Sequence, residues 1–234
     1  MNTVNLRVSF LRAALITAAI NDIRYYLNGV LVEVMPRAVR IVSTNGHRLT
    51  CFHCAAPADG EDLAPAQIII PRDALKGIKA QKGIKAQKGL EDCFFSYDAE
   101  NPLAECRLGA LKDNDRIFKP IDGKFPDYTR IMPNSAPSGD KACFNPYYLA
   151  EACDIVRTAL DTANGTLDTE NGTVYPTVWD NGESAAPVTC AGLPEFYGLI
   201  MPMSGTGGEF TLPEWIDARQ ESKAAAQQAN RSTH

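Results

Sequence analysis

The side chains best suited to chemistry are His47, Cys51, His53 and Cys54, which stand in one short run. A thiol this close to an imidazole could serve as a Cys–His nucleophile and base, with Asp122 or Asp127 as the orienting carboxylate. The spacing does not fix nucleophile, base and oxyanion donor together. The Cys-Phe-His-Cys run at 51–54 also offers half of a zinc site, but four ligands are needed and no second pair stands at a comparable spacing. The other cysteines, Cys93, Cys106, Cys143, Cys153 and Cys190, bring the total to an odd seven without a short secreted scaffold, so all seven read as reduced thiols. Gly205, Gly207 and Gly208 form the one notable glycine cluster, and it lacks the Lys-Ser/Thr of a phosphate-binding loop. The expectation is a non-enzymatic protein with no catalytic residues, no metal and no cofactor; a hydrolase is a distant reading.

The elements that lead into these residues run from 22 to 49. A helix exit is followed by an Asn28-Gly29 turn. Apolar runs at 30–35 and 38–43 are then joined across Pro36-Arg37 and closed by a second turn at Asn45-Gly46. That pattern predicts a small antiparallel sheet. Its ends carry Arg24, Tyr25, Tyr26, His47 and Arg48, residues that a packed strand does not need and that a recognition loop does.

With 234 residues, 45% of them hydrophobic, the chain can build one or two domains with a sizeable core. No run is long and apolar enough to cross a bilayer and no signal peptide is readable, so a cytoplasmic location is expected. The net charge of -5 argues against a wholly basic nucleic-acid binder, yet it allows lysines gathered on one surface.

Three segments repeat one order of strand, helix and three strands, an α+β pattern. In the first, 1–58, Val4, Leu6, Val8 and Phe10 alternate as a strand, and Ser9 is placed to cap a helix reaching about Ile20, with Leu11, Leu15, Ala18 and Ala19 on its apolar side. In the second, 59–133, a strand at 68–71 leads into a helix from Asp73, and strands are expected at 93–97, 104–108 and 116–118. Inside that helix Gly-Ile-Lys-Ala-Gln-Lys occurs at 77–82 and again at 83–88. Lys76, Lys79 and Lys82 step by three and share a face, whereas Lys85 and Lys88 drift round it. By themselves these lysines fit a solvated face as well as a phosphate-binding one. The third segment, 134–203, opens with a linker and a strand at 142–145. Asn145 caps a helix with Pro146 at its first position, and Leu149, Ala152, Ile155, Val156, Ala159 and Leu160 give it helical spacing. Strands are expected at 173–179, 186–190 and 196–203. Residues 204–234 read as a flexible tail.

Four stretches, in order, resemble the bacterial sliding clamp, the β subunit family of the replicative DNA polymerase. They are Arg-Tyr-Tyr-Leu-Asn-Gly at 24–29, Thr-Asn-Gly-His-Arg-Leu at 44–49, Gly-Lys-Phe-Pro-Asp-Tyr-Thr-Arg-Ile-Met-Pro at 123–133 and Ile-Met-Pro-Met at 200–203. The resemblance runs over roughly residues 4–203. It implies helices lining a DNA-facing surface, sheets outside, and a processivity factor that encircles duplex DNA and binds linear peptides of polymerase and clamp loader. The alternative is a non-encircling module that binds or competes for clamp-binding proteins.

Carried over residue by residue, the peptide groove comprises Leu27, Thr44, Gly46, His47, Arg48, Leu49, Pro126, Arg130, Ile131, Leu199, Met201, Pro202 and Met203. His47, Arg48 and Arg130 form its polar rim, and Ser204 stands where the family usually has an arginine. Met201 and Met203 by themselves also fit a core. The DNA-binding positions are Asn21, Arg24, Tyr25, Tyr26 and Arg72, joined by Lys76, Lys79 and Lys82; Tyr25 and Tyr26 by themselves also suit local packing. The family's chains each carry three domains of two halves, and two chains close a ring of about twelve halves. Here 1–133 matches one complete domain and 134–203 one further half, so a homo-oligomeric ring of four chains is the expected count.

Overall fold

The computed structural model describes residues 1–56, 62–78, 92–109, 115–160, 168–169, 172–173 and 175–204. The chain divides into two units, 1–204 and 205–234; the second, which includes the predicted tail, lies outside the described residues.

Strand β1, Asn2–Arg7, runs directly into helix α1, Val8–Thr17. Arg7 occupies the cap position without a side-chain bond, so Ser9 lies within the first turn and is not the cap. The early start is what buries both Val8 and Phe10. The helix stops at Thr17, short of the expected Ile20, and side chains from other elements bond the carbonyls near its end. Ser43 Oγ donates to Ala14 O at 2.6 Å, Arg48 Nη2 to Ile16 O at 3.1 Å, and Arg72 Nη1 to Leu15 O at 2.8 Å and Ala18 O at 2.9 Å.

A 3-10 turn at Tyr25–Leu27 leads into β2, Gly29–Met35, then β3, Ala38–Thr44, and β4, Arg48–Ala55. Met35 faces Ala38 across the two-residue Pro36-Arg37 hairpin, as the pattern requires. The Asn28-Gly29 pair is not a hairpin turn. Asn28 exchanges two side-chain bonds with the Asp22 backbone, closing the loop, and Gly29 is already in the strand. A Cβ there would stand 2.6 Å from Ile70 O, so a glycine is needed for close strand approach.

In the second segment β5, Ala66–Pro71, enters a helix, α2, of four residues, Arg72–Leu75. Lys76 is its C-terminal flank and Gly77 has φ +68, so the helix ends before the lysine repeat that was expected to lie within it. Strands β6, Asp92–Tyr97, β7, Cys106–Gly109, and β8, Arg116–Phe118, follow. The strand expected from 104 starts later because Ala104 N closes a turn onto Asn101 O.

The first two segments exchange their opening strands: β1 pairs with β6, and β5 pairs with β2. In both cases the last residue before the helix faces the first residue of the partner strand, Arg7 opposite Asp92 and Pro71 opposite Gly29.

In the third segment Asn145 accepts from Tyr147 N and Pro146 opens α3, Pro146–Ala159, as read from the sequence. Ala152, Ile155, Val156 and Ala159 are buried, whereas Leu149, one turn from the helix start, is exposed. Residues 142–145 form no ladder, contrary to the expected strand. A two-residue hairpin of β9, Asp168–Thr169, and β10, Gly172–Thr173, precedes β11, Thr177–Val178, β12, Ala186–Thr189, and β13, Phe196–Ile200. β13 lies against β4, giving a seven-stranded sheet in the order β11-β12-β13-β4-β3-β2-β5 beside a four-stranded one, β1-β6-β7-β8. Phe10, Phe52 and Phe196 mark the shared core, with Phe10 stacked on Phe52 at 4.4 Å and Phe196 tilted against Phe52 at 5.6 Å. Among the described residues no helix is long and apolar enough to cross a membrane.

Candidate functional site

The β4–β13 ladder sets Phe196 opposite Phe52 and Ile200 opposite Arg48. Past Ile200 the chain leaves the sheet, so the strand expected through 203 stops early. Met201 N still donates to His47 O at 2.8 Å, and Met203 N donates to Cys143 O at 2.8 Å. This anchoring holds the two methionine side chains out, 37% and 55% exposed, beside the Asn45-Gly46 turn. The turn is set by Asn45 Oδ1, which accepts from His47 N and Arg48 N, and by Gly46 at φ +93, where a Cβ would press on the Arg24 guanidinium at 2.9 Å.

Leu27, Leu49 and Leu199 belong to one buried apolar cluster with Leu31, Phe125 and Tyr128. Three of the expected groove residues are thus buried together, contributed by the first segment and the third. Pro126, Arg130 and Ile131 flank the Phe125 and Tyr128 anchors and are exposed, and Pro202 is half-buried. Thr44 is buried, its hydroxyl donating to Arg48 O at 2.7 Å. Gly46 and His47 are exposed. Arg48 is not on a polar rim: its side chain is 11% exposed, pairs with Glu151 Oε1 at 2.8 Å and lies 4.7 Å over the Tyr148 ring. Burial raises the Glu151 carboxyl above the usual range, against the opposing pull of Arg48.

The sequence signal missed Tyr128, Tyr148 and Glu151. Tyr128 ties the 3-10 turn at Tyr128–Ile131 to the sheet by donating to Glu33 while accepting from Arg40 Nη1 at 3.2 Å. Burial, then the bond to Glu33, pushes its phenol well up. Tyr148 sits between His47 and Arg48, its ring 6.3 Å from the imidazole. The helical spacing of α3 pointed to its buried face, but no local pattern shows which distant loop that helix meets.

The DNA-binding positions divide. Asn21, at φ 55, is exposed, as are Arg24 and Tyr25, while Tyr26 packs against the apolar cluster. Arg24 is committed to Asp22 at 2.7 Å and to Asn45 O at 3.1 Å; its side-chain bonds to Asp22, then its backbone N–H, lower the Asp22 carboxyl to about 2. Arg72 is half-buried and spends Nη1 on the α1 carbonyls, and burial lowers its pKa. It caps a helix and does not stand free for phosphate. Lys76 pairs with Asp73 at 2.6 Å outside the short helix; Lys79 and Lys82 lie outside the described residues.

The thiol and imidazole chemistry does not assemble. Burial pushes Cys51 up to about 12, the opposite of what a nucleophile needs. His53 Nδ1 accepts from Arg40 Nε at 3.4 Å. Among the described residues no group of three or more His, Cys, Asp or Glu is placed to hold a metal ion.

The family model described as DNA polymerase III beta subunit, central domain, matches residues 8–127. The beta sliding clamp of Pseudomonas putida is 37% identical over 148 residues, covering 59% of this chain and 35% of that protein. That of Escherichia coli K12 is 33% identical over 159 residues, covering 65% and 36%. The match therefore spans little more than a third of those relatives' length. Among solved structures, the DNA polymerase III subunit beta of Pseudomonas aeruginosa superposes with TM-score 0.59 at 21% identity, covering 88% of this chain and 67% of that one. The Thermotoga maritima beta subunit gives 0.60 at 14%, covering 88% and 66%. At such identities the likeness is one of fold.

Proposed function

Since the chain belongs to the family of the DNA polymerase III beta subunit, central domain, and has the α+β sliding-clamp fold, we propose that it is a non-catalytic, clamp-like processivity factor. In this reading it works in the cytoplasm, keeps a polymerase on duplex DNA, and takes linear peptides of the polymerase and clamp loader in the groove where β4 meets β13. The observation that carries the reading is that junction. Supporting it, Leu27, Leu49 and Leu199 share one buried apolar cluster, while Met201, Met203 and Ile131 are exposed. Unbranched methionines over an apolar floor suit a surface that accepts several related peptides.

Replacing Met201 and Met203 together with Ala is expected to weaken a clamp-binding peptide by about 2 kcal/mol. The melting temperature should stay put, because both side chains are exposed. Fluorescence anisotropy with a labelled peptide reads the first quantity and circular dichroism the second. An unchanged affinity, or loss of the fold, counts against the groove.

On the DNA side, 1–133 forms one clamp-like domain of two halves, 134–203 a third half, and 204–234 an appendage. Helices face the duplex and sheets face outward, and Arg24, Tyr25 and Asn21 supply contacts that carry no sequence information, as sliding requires. Four chains of three halves supply the about twelve that a ring needs. The expected result is retention on nicked circular DNA that is lost when the circle is cut. Equal retention on both, or none on either, replaces the ring with the non-encircling module.

A further inference from the structure

We propose that the third segment is an interface for a second copy of this chain. Two third segments pair across a two-fold axis, each laying its residues 142–145 along the free edge of the other's β11. This rests on the three-half reading above, but not on DNA or peptide binding.

The rule comes from the first two segments, in which neither opening strand pairs within its own segment. β1 is carried to β6 and β5 to β2, each joining the strand that follows the other segment's helix. The third segment has both halves of the same arrangement, and among the described residues neither is paired in a ladder with the other; Cys143 O only accepts a single bond from Met203 N. Residues 142–145 lead into α3 as β1 leads into α1, yet they form no ladder. Among the described residues, β11 has β12 on one side and no strand on the other.

The geometry of β11 says which groups await a partner. Trp179 N donates to Pro187 O at 2.8 Å, and Thr177 faces Thr189 two positions back, so 177 and 179 spend their backbone groups on β12. In an antiparallel ladder the intervening residue points the other way. The N–H and C=O of Val178 therefore point to the open edge. The Asp180 carbonyl, aimed the same way, accepts from Gly139 N at 3.0 Å. Pro176 offers its carbonyl alone, which keeps the pairing short, as suits a four-residue donor.

Helix packing agrees. α1 has α2 on one flank and α3 on the other, and it buries residues round most of its circumference. α3 packs on α1 and β13 with its Ala152–Ile155–Ala159 side, while Tyr147, 77% exposed, and Cys153 point elsewhere. A second α3 would stand beside the first where α2 stands beside α1. Tyr175, just before β11, is 67% exposed. The interface is self-complementary, since each copy gives one strand and receives one. An odd number of segments per chain thus becomes an even number per pair.

The test uses the full chain and sedimentation equilibrium at micromolar concentration. The native protein is expected at an even multiple of 25.4 kDa. Val178→Pro removes an outward-pointing donor, an exchange that an edge strand tolerates, together with a half-buried side chain packed against the core, and should halve that mass. If this variant fails to fold, Tyr147→Glu on the exposed α3 flank takes its place and should act the same way. A native monomer, or an oligomer that neither variant disturbs, overturns the proposal. So does an oligomer broken instead by Ile117→Asp on the β8 edge. Peptide binding is measured on the same samples. The groove is complete within one chain, so a Val178→Pro protein of halved mass that still binds peptide supports both readings. One that dissociates as expected but binds no peptide, in a background where the native protein binds none either, leaves the interface standing and removes the clamp function.

Discussion

Phe52→Ala is expected to lower the folding free energy by about 3–5 kcal/mol. Phe52 is fully buried in β4, the strand that has β3 on one side and β13 on the other. Its ring stacks on Phe10 of α1 at 4.4 Å and meets Phe196 of β13 at 5.6 Å. The cavity left by the truncation would lie among three elements drawn from two segments. It could not close by the movement of any one of them, because α1 is held at its far end by Ser43, Arg48 and Arg72. The loss belongs at the upper end for a core phenylalanine, since two aromatic contacts go with the buried area. Urea denaturation measures it, with Phe52→Leu as the control at roughly 1 kcal/mol. A loss below about 1 kcal/mol for the alanine variant would show that the first and third segments do not share a core.

Arg48→Ala should cost about 2–4 kcal/mol at neutral pH, because it leaves the Glu151 carboxylate half-buried without its cation and strips Tyr148 of its stacking partner. The pair is imperfect as it stands: Arg48 Nε and Glu151 Oε2 are buried with no hydrogen-bond partner among the described residues. Replacing both, as Arg48→Met with Glu151→Leu, should therefore recover most of the loss, since each charge's desolvation goes with it. The pH dependence has a definite sign. The folded Glu151 carboxyl lies above its ordinary value of 4.5, so folding takes up protons and stability relative to the unfolded chain falls as pH rises through that window. Without Arg48 the upward shift grows, and the deficit of the Arg48→Ala variant should shrink as pH is lowered toward 4.5. A deficit that is flat with pH, or a double variant no better than the single one, would remove the ion pair as the cause.

The hairpins, the Asn45-Gly46 turn, the α3 cap and the exchange-ready order of strand and helix were legible in the sequence because each is decided within a few residues. The four separated motifs also singled out Leu27, Leu49 and Leu199, which the structure gathers in one buried cluster, and Met201 and Met203, which it leaves exposed. Arg48 and Arg72 were not. Their charge suggested a rim and a phosphate contact, but both reach into the carbonyls at the end of α1, a demand set by an element more than thirty residues away for Arg48 and more than fifty for Arg72. Ser9 failed as a cap for a related reason: burying Val8 required the helix to begin one residue before it. Residues 142–145 read as a short strand, but a strand is completed only by a neighbour, and the local sequence says nothing of where the neighbour comes from.

The β4–β13 ladder also bears on synthesis. Leu49 faces Leu199, so the two sides of the junction are made about 150 residues apart. At some 5–20 residues per second a ribosome needs on the order of 10–30 s to cover that interval. During this time the β4 edge is formed but open, carrying Arg48 and His53 among its apolar residues, charges and polar groups of the kind that discourage premature pairing. The β4–β13 junction does not exist until the last strand docks. On the proposed reading, a nascent chain therefore cannot engage a client peptide before translation has passed Met203.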